Sequence, residues 1–206
     1  MKRNRTTVAV IGEGITEKYF VQSLRDVLAI KPNPVKPKNS TLKELETAIK
    51  SCVKKGYSRV YCLIDMDNKV HDGNRDHERN ADGYAKLKQQ YHDKLCKCPD
   101  GSKTLVSLIE SFPATEVFFR YYFGYTSAPL SNQQLKNMLN KKFGYLTEEK
   151  YLIKHSLHDT LEAAGGSLRT AIMASKQSIS SEAKESSGST YTEIGIMVLD
   201  LSPLDI

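Results

Sequence analysis

Two short apolar runs, Val8-Ala9-Val10-Ile11 and Val60-Tyr61-Cys62-Leu63-Ile64, constrain this chain more than any other feature. Each is brief, rich in β-branched residues and apolar at consecutive positions, which reads as a strand buried on both faces. After the first, Thr16 is a candidate cap for a helix whose apolar positions Phe20, Leu24, Val27 and Leu28 follow 3–4 spacing. Pro32, Pro34 and Pro37 break that helix and permit only an edge strand near Val35. Thr41 with Glu44 reads as a capping box, and Leu42, Leu45, Ile49, Cys52 and Val53 mark one face of a second helix that Gly56 stops. Tyr84, Leu87, Tyr91 and Leu95 predict a third helix, Leu105 to Ile109 a third buried strand, and residues 115–123 another helix. Strand alternating with helix predicts an α/β fold with a mostly parallel sheet flanked by helices. From Ser131 onward the spacing is helical, and a Ser-rich stretch from Ser178 to Thr190 precedes a last apolar segment, Ile194 to Leu201. The expected division is an α/β core over residues 1–125 and a helical C-terminal appendage over 126–206 packed on it.

Composition narrows the classes. The 206 residues suffice for a core without disulfides or structural metal, so the four cysteines need form no framework. No apolar run approaches the ~18 residues that span a bilayer, so no membrane partner is expected. The basic start, Met1 to Arg5, leads into a run too short for a signal-peptide core, and the cytoplasm is the expected compartment. The net charge is +6, with 13 basic against 5 acidic residues in positions 1–60, which favours a polyanionic partner such as nucleic acid.

Acidic motifs follow both strands. Gly12-Glu13-Gly14-Ile15-Thr16-Glu17 comes after the first and Asp65-Met66-Asp67 after the second. In an open parallel sheet ligands bind just beyond the strand ends, where both motifs project. On extended chain Asp65 and Asp67 point to one side with α-carbons roughly 6.6 Å apart. Gly12 and Gly14 let the backbone turn sharply and approach a ligand closely. Glu13, Asp65 and Asp67 at one edge repel one another unless a cation neutralises them, and all-oxygen ligands suit Mg²⁺ or Mn²⁺. Singly, each motif also reads as a solvated strand end or a turn; paired on consecutive strands they become specific.

Val10-Ile11-Gly12-Glu13-Gly14-Ile15-Thr16-Glu17 with Tyr19-Phe20 resembles the opening signature of the RloB-type family, and Ile64-Asp65-Met66-Asp67 its second motif. Ser111-Phe112-Pro113-Ala114-Thr115-Glu116, running on to Tyr122-Phe123-Gly124-Tyr125-Thr126-Ser127, is similar to its third, and Ser189-Thr190-Tyr191-Thr192 to its C-terminal end. Gly12 stands where the family often has Cys, and Ala114-Thr115 where it has Cys-Phe. The resemblance implies a Toprim-like (Rossmann-like) fold and a metal-dependent nuclease of bacterial antiphage or restriction-linked defence. It would act on DNA or RNA, some relatives on transfer RNA, with an ATPase partner subunit. Its catalytic carboxylates carry over onto Glu13, Asp65, Asp67 and Glu116, with Glu13, Asp65 and Asp67 on the metal. Glu13 is either a second-metal ligand or a general base.

Several residues carry two readings. Glu17, one turn past Glu13, faces the site or simply favours a helix N-terminus, as does Glu116. Residues 68–82 read as a polar loop and a candidate substrate flap, with Lys69 and His71 nearest the motif, although most such residues are solvated. Seven of the 17 Phe and Tyr residues fall within positions 112–125, and a buried helix explains them better than base stacking does. Cys96-Lys97-Cys98 lacks a second pair at zinc spacing. His155 and His158 read as helix-surface residues before RNA contacts, and Lys2, Arg3 and Arg5 as either backbone contacts or a frayed end. Two rival functions remain: a noncatalytic nucleic-acid-binding or regulatory subunit, and a phosphatase of the haloacid dehalogenase type using Asp65-Met66-Asp67.

Overall fold

The computed structural model describes residues 6–180 and 189–202. Its sheet contains β1 (Val8–Gly12), β2 (Asn33–Val35), β3 (Arg59–Asp65), β4 (Lys94–Lys97), β5 (Lys103–Phe112) and β6 (Tyr191–Thr192), in the order β2-β1-β3-β5-β4 with β6 on β5. The pairs β1–β2, β1–β3 and β3–β5 are parallel, and β4 and β6 run antiparallel to β5. Helices α1 (Ile15–Ser23), α2 (Leu42–Lys54), α3 (Arg75–Tyr91) and α4 (Glu116–Tyr121) connect or follow the strands. The C-terminal helices are α5 (Asn132–Phe143), α6 (Glu149–Lys154), α7 (Leu157–Ala163), α8 (Leu168–Ser178) and α9 (Ile194–Leu201). The fold is therefore α/β, with a mostly parallel sheet and a helical C-terminal part.

Because strand side chains alternate between faces, each strand feeds two cores. Val8, Val10, Tyr61 and Leu63 join α1 and the helices after β5 in one apolar cluster, while Ala9, Ile11, Val60, Cys62 and Ile64 join α2 and α3 in another. The first cluster mixes Phe20 and Phe118 with Leu135, Leu161, Ile172 and Val198, so residues beyond 125 complete the core of the sheet's face. Phe118, Phe119, Tyr121 and Tyr122 are buried in it.

Local chemistry corrects several expectations. Gly14, not Thr16, caps α1, and Thr16 is buried inside the helix. Thr41 does cap α2, accepting from the Glu44 amide. Helix α3 starts at Arg75, because Asn74 accepts from the amides of Asp76 and His77, so the polar loop expected over 68–82 is loop only to residue 74. It ends at Tyr91: His92 is extended and Asp93 takes a left-handed φ of 54°, which turns the chain back into β4. Leu95 thus lies on an edge strand, 63% exposed, and not on the helix. His158 is buried rather than on a helix surface, its Nδ1 3.1 Å from Tyr122 Oη, while His155 stacks on Tyr151. Cys98 is buried against Thr104 Oγ1. Lys2, Arg3, Arg5 and most of the Ser-rich stretch lie outside the described residues.

The chain leaves β1 through α1 toward β2 on one side, and leaves β3 through α3 toward β5 on the other. That reversal opens a crevice at the carboxyl ends of β1 and β3. Both acidic motifs lie there.

Candidate active site

Of the clefts on this surface, the one at the crevice stands apart in chemistry: about 320 Å³, lined by Glu13, Glu17, Asp65, Asp67 and Glu116, with Thr16, Ser40, Asn68, Lys136 and Thr147 among the rest. Five carboxylates therefore meet from four segments: the β1–α1 turn, α1, the end of β3 and the start of α4.

Each is held by its surroundings. Asp65 Oδ1 accepts from the Thr115 amide at 2.8 Å and from Thr115 Oγ1 at 3.0 Å, so the segment before α4 orients the carboxylate that ends β3. Strand β3 stops at Asp65 and the chain then turns, so Asp67 is not on extended backbone as the spacing predicts. The Met66 and Asp67 amides instead donate to the carbonyls of Ser111 and Pro113, both at 2.9 Å, and this brings Asp67 to the same pocket. Asn132 Nδ2 reaches Asp67 Oδ2 at 3.4 Å. Glu116 is buried, accepts from Tyr145 Oη at 3.0 Å, and has Lys136 Nζ at 3.7 Å.

Glu17 is buried and accepts from the Gly14 amide at 2.7 Å. The glycines flanking Glu13 make room for it: a Cβ on Gly12 would lie 2.3 Å from Glu17 Cβ, and one on Gly14 2.9 Å from Glu17 Oε2. The close approach read into these glycines is thus to the chain's own carboxylate. Glu13 is ion-paired with Lys69, whose Nζ lies 2.9 and 3.1 Å from its two oxygens. His71 does not line the pocket; it is exposed and paired with Glu78 on α3.

Crowding of like charge in a dry site shows in the proton affinities. Burial pushes Glu17 up to about 7, and the Glu116 and Glu13 charges add to it. Asp65 is held well above the usual carboxylate range by burial, then by Glu17, Glu116 and Glu13. Glu13 is raised by burial although Lys69 opposes the shift. Such a set favours either protons or a cation.

The donor chemistry fits a hard divalent ion: five lining carboxyl groups against the lining ammonium of Lys136 and that of Lys69, which pairs with Glu13. Among the described residues, however, no three acidic, His or Cys side chains stand together as a ready-made cation cage. Glu13 is bonded to Lys69.

Sequence reasoning missed Asn132, Lys136, Tyr145 and Thr115 as neighbours of the carboxylates. Only Thr115 carried a local signal, adjoining Glu116; the others arrive by packing of α5 and the α5–α6 connection on α4.

Fold and pocket together define an open α/β protein with an acidic centre at its switch point. A family model for RloB-like proteins matches residues 8–201, and the chain belongs to that family. No curated protein and no solved structure matches it. No helix among the described residues is long and apolar enough to cross a membrane.

Proposed function

We propose that this protein is a Mg²⁺- or Mn²⁺-dependent nuclease of Toprim type that hydrolyses phosphodiester bonds in DNA or RNA. The convergence of Glu13, Glu17, Asp65, Asp67 and Glu116 at the β1/β3 switch point carries this reading. Membership of the RloB-like family supports it and suggests the setting, antiphage defence beside an ATPase partner.

Asp65, Asp67 and Glu13 would hold the cation, which when bound supplies charge stabilisation at a phosphate oxygen. Thr115 fixes Asp65 by two hydrogen bonds. Glu17, with its proton affinity near neutrality, is suited to take a proton from an attacking water. Tyr145 and Lys136 secure Glu116, and Lys136, on the more open side at 35% exposure, is placed to meet a phosphate.

A noncatalytic binding subunit is the second reading, favoured by the Lys69–Glu13 pair that already neutralises one carboxylate. The two separate on a panel of transfer RNA, single-stranded and duplex DNA incubated with Mg²⁺ or with EDTA. Mg²⁺-dependent cleavage that disappears in Glu13→Gln supports the nuclease. Binding without cleavage by the wild type, with any ATPase partner supplied, supports the subunit.

A further inference from the structure

The two ammonium groups of the pocket are not alike. Lys136 sits at the rim, 3.7 Å from Glu116 and 35% exposed, whereas the Lys69 side chain is 5% exposed. Lys69 Nζ donates to Glu13 Oε2 at 3.1 Å, to the Asp65 carbonyl at 2.6 Å and to Asn68 Oδ1 at 3.4 Å, while Glu13 Oε1, 2.9 Å from the ammonium, is buried with no hydrogen bond of its own. An ammonium has three hydrogens, and these partners take them all. The lysine is held in this place by backbone, since its amide closes a turn on the Met66 carbonyl at 3.1 Å and the Met66 and Asp67 amides are bonded to β5's end.

We infer that Lys69 is a built-in counter-cation that competes with an incoming divalent ion for Glu13. This rests on the reading of the pocket as a cation site. Lys69 compensates a carboxylate that has been taken out of water, and removing one partner of such a pair is strongly destabilising. Once a divalent ion approaches Glu13, the same ammonium becomes a like charge at close range, and its hydrogen bond to Oε2 engages one of the two oxygens a metal would use. Release from Glu13 leaves Lys69 the Asp65 carbonyl and Asn68 Oδ1, so the exchange requires no unfolding. Protein cation and metal then compete for Glu13, and the cation affinity is set below what the carboxylates alone would give.

The test uses the full chain and Mn²⁺ binding, followed by electron paramagnetic resonance of the free ion, in the wild type, Lys69→Met and Lys69→Arg. Lys69→Met is expected to bind Mn²⁺ at least about tenfold tighter, as befits loss of a unit charge within a few ångströms of the site. Lys69→Arg, which keeps the charge, is expected to show no such gain. Without metal Lys69→Met should melt below the wild type, and Mn²⁺ should raise its melting temperature by more. If Lys69→Met is unfolded without metal, Mn²⁺ should restore its far-ultraviolet circular dichroism, and failure to do so overturns the proposal. Equal or weaker binding by Lys69→Met, with the wild type binding, also overturns it while the cation site stands. Absence of Mn²⁺ binding in all three proteins overturns the cation site itself, and this inference with it.

Discussion

Glu17 concentrates the physical problem of this pocket: a carboxylate buried beside other carboxylates, with only the backbone amides of Gly14 and Glu17 itself to solvate it. Its proton affinity is raised in the folded state from 4.5 to about 7, so the native protein binds more protons than the unfolded chain across that window. Stability from this group must therefore fall as pH rises from about 4.5 to about 7 and stay low above it. Melting curves in EDTA at pH 5 and pH 7 should show that fall in the wild type and a shallower one in Glu17→Gln; equal slopes would count against the shift. The glycines beside Glu13 make a second case. Gly12→Ala places a methyl 2.3 Å from Glu17 Cβ, and denaturant titration should show a loss of about 1–3 kcal/mol, the usual cost of overpacking. The same logic explains why the residues were legible in part. Glu13, Asp65 and Asp67 follow directly from strands that announce themselves, whereas the role of Gly12 depends on Glu17 folding back across one helical turn, which no local pattern encodes.

At the scale of elements, what could be read was what is buried on both sides. Strands β1, β3 and β5 combine consecutive apolar residues with β-branching, and helix α2 has a single apolar face. Strand β4 escaped because Leu95 continues the spacing of Tyr84, Leu87 and Tyr91, while the left-handed Asp93 ends that periodicity without a glycine to mark it. Strand β6 is two residues long and exists through pairing with Ser111 and Phe112 far away in sequence. Behind it, α8 and α9 pack so closely that a Cβ on Gly195 would lie 2.6 Å from Ser175 Oγ, which itself accepts from the Gly195 amide and donates to the Thr192 carbonyl. Gly195→Ala should cost about 1–3 kcal/mol in a chemical melt. A neutral result would mean that the helices separate without loss.

For the whole molecule, the division at residue 125 marks a change of sequence pattern inside one continuous core. Leu135, Leu161, Ile172 and Val198 cover the sheet face that carries Val8, Val10 and Leu63, and Asn132, Lys136 and Tyr145 complete the acidic pocket. A chain cut after residue 125 should therefore show neither a cooperative melt nor native circular dichroism, and a folded fragment would contradict this arrangement. The most direct measurement is Mg²⁺-dependent cleavage of nucleic acid by the wild type and by Asp65→Asn, at matched circular dichroism and melting behaviour. Cleavage that is abolished in a folded Asp65→Asn protein is the expected result; full activity in that variant would contradict the assignment of the acidic centre.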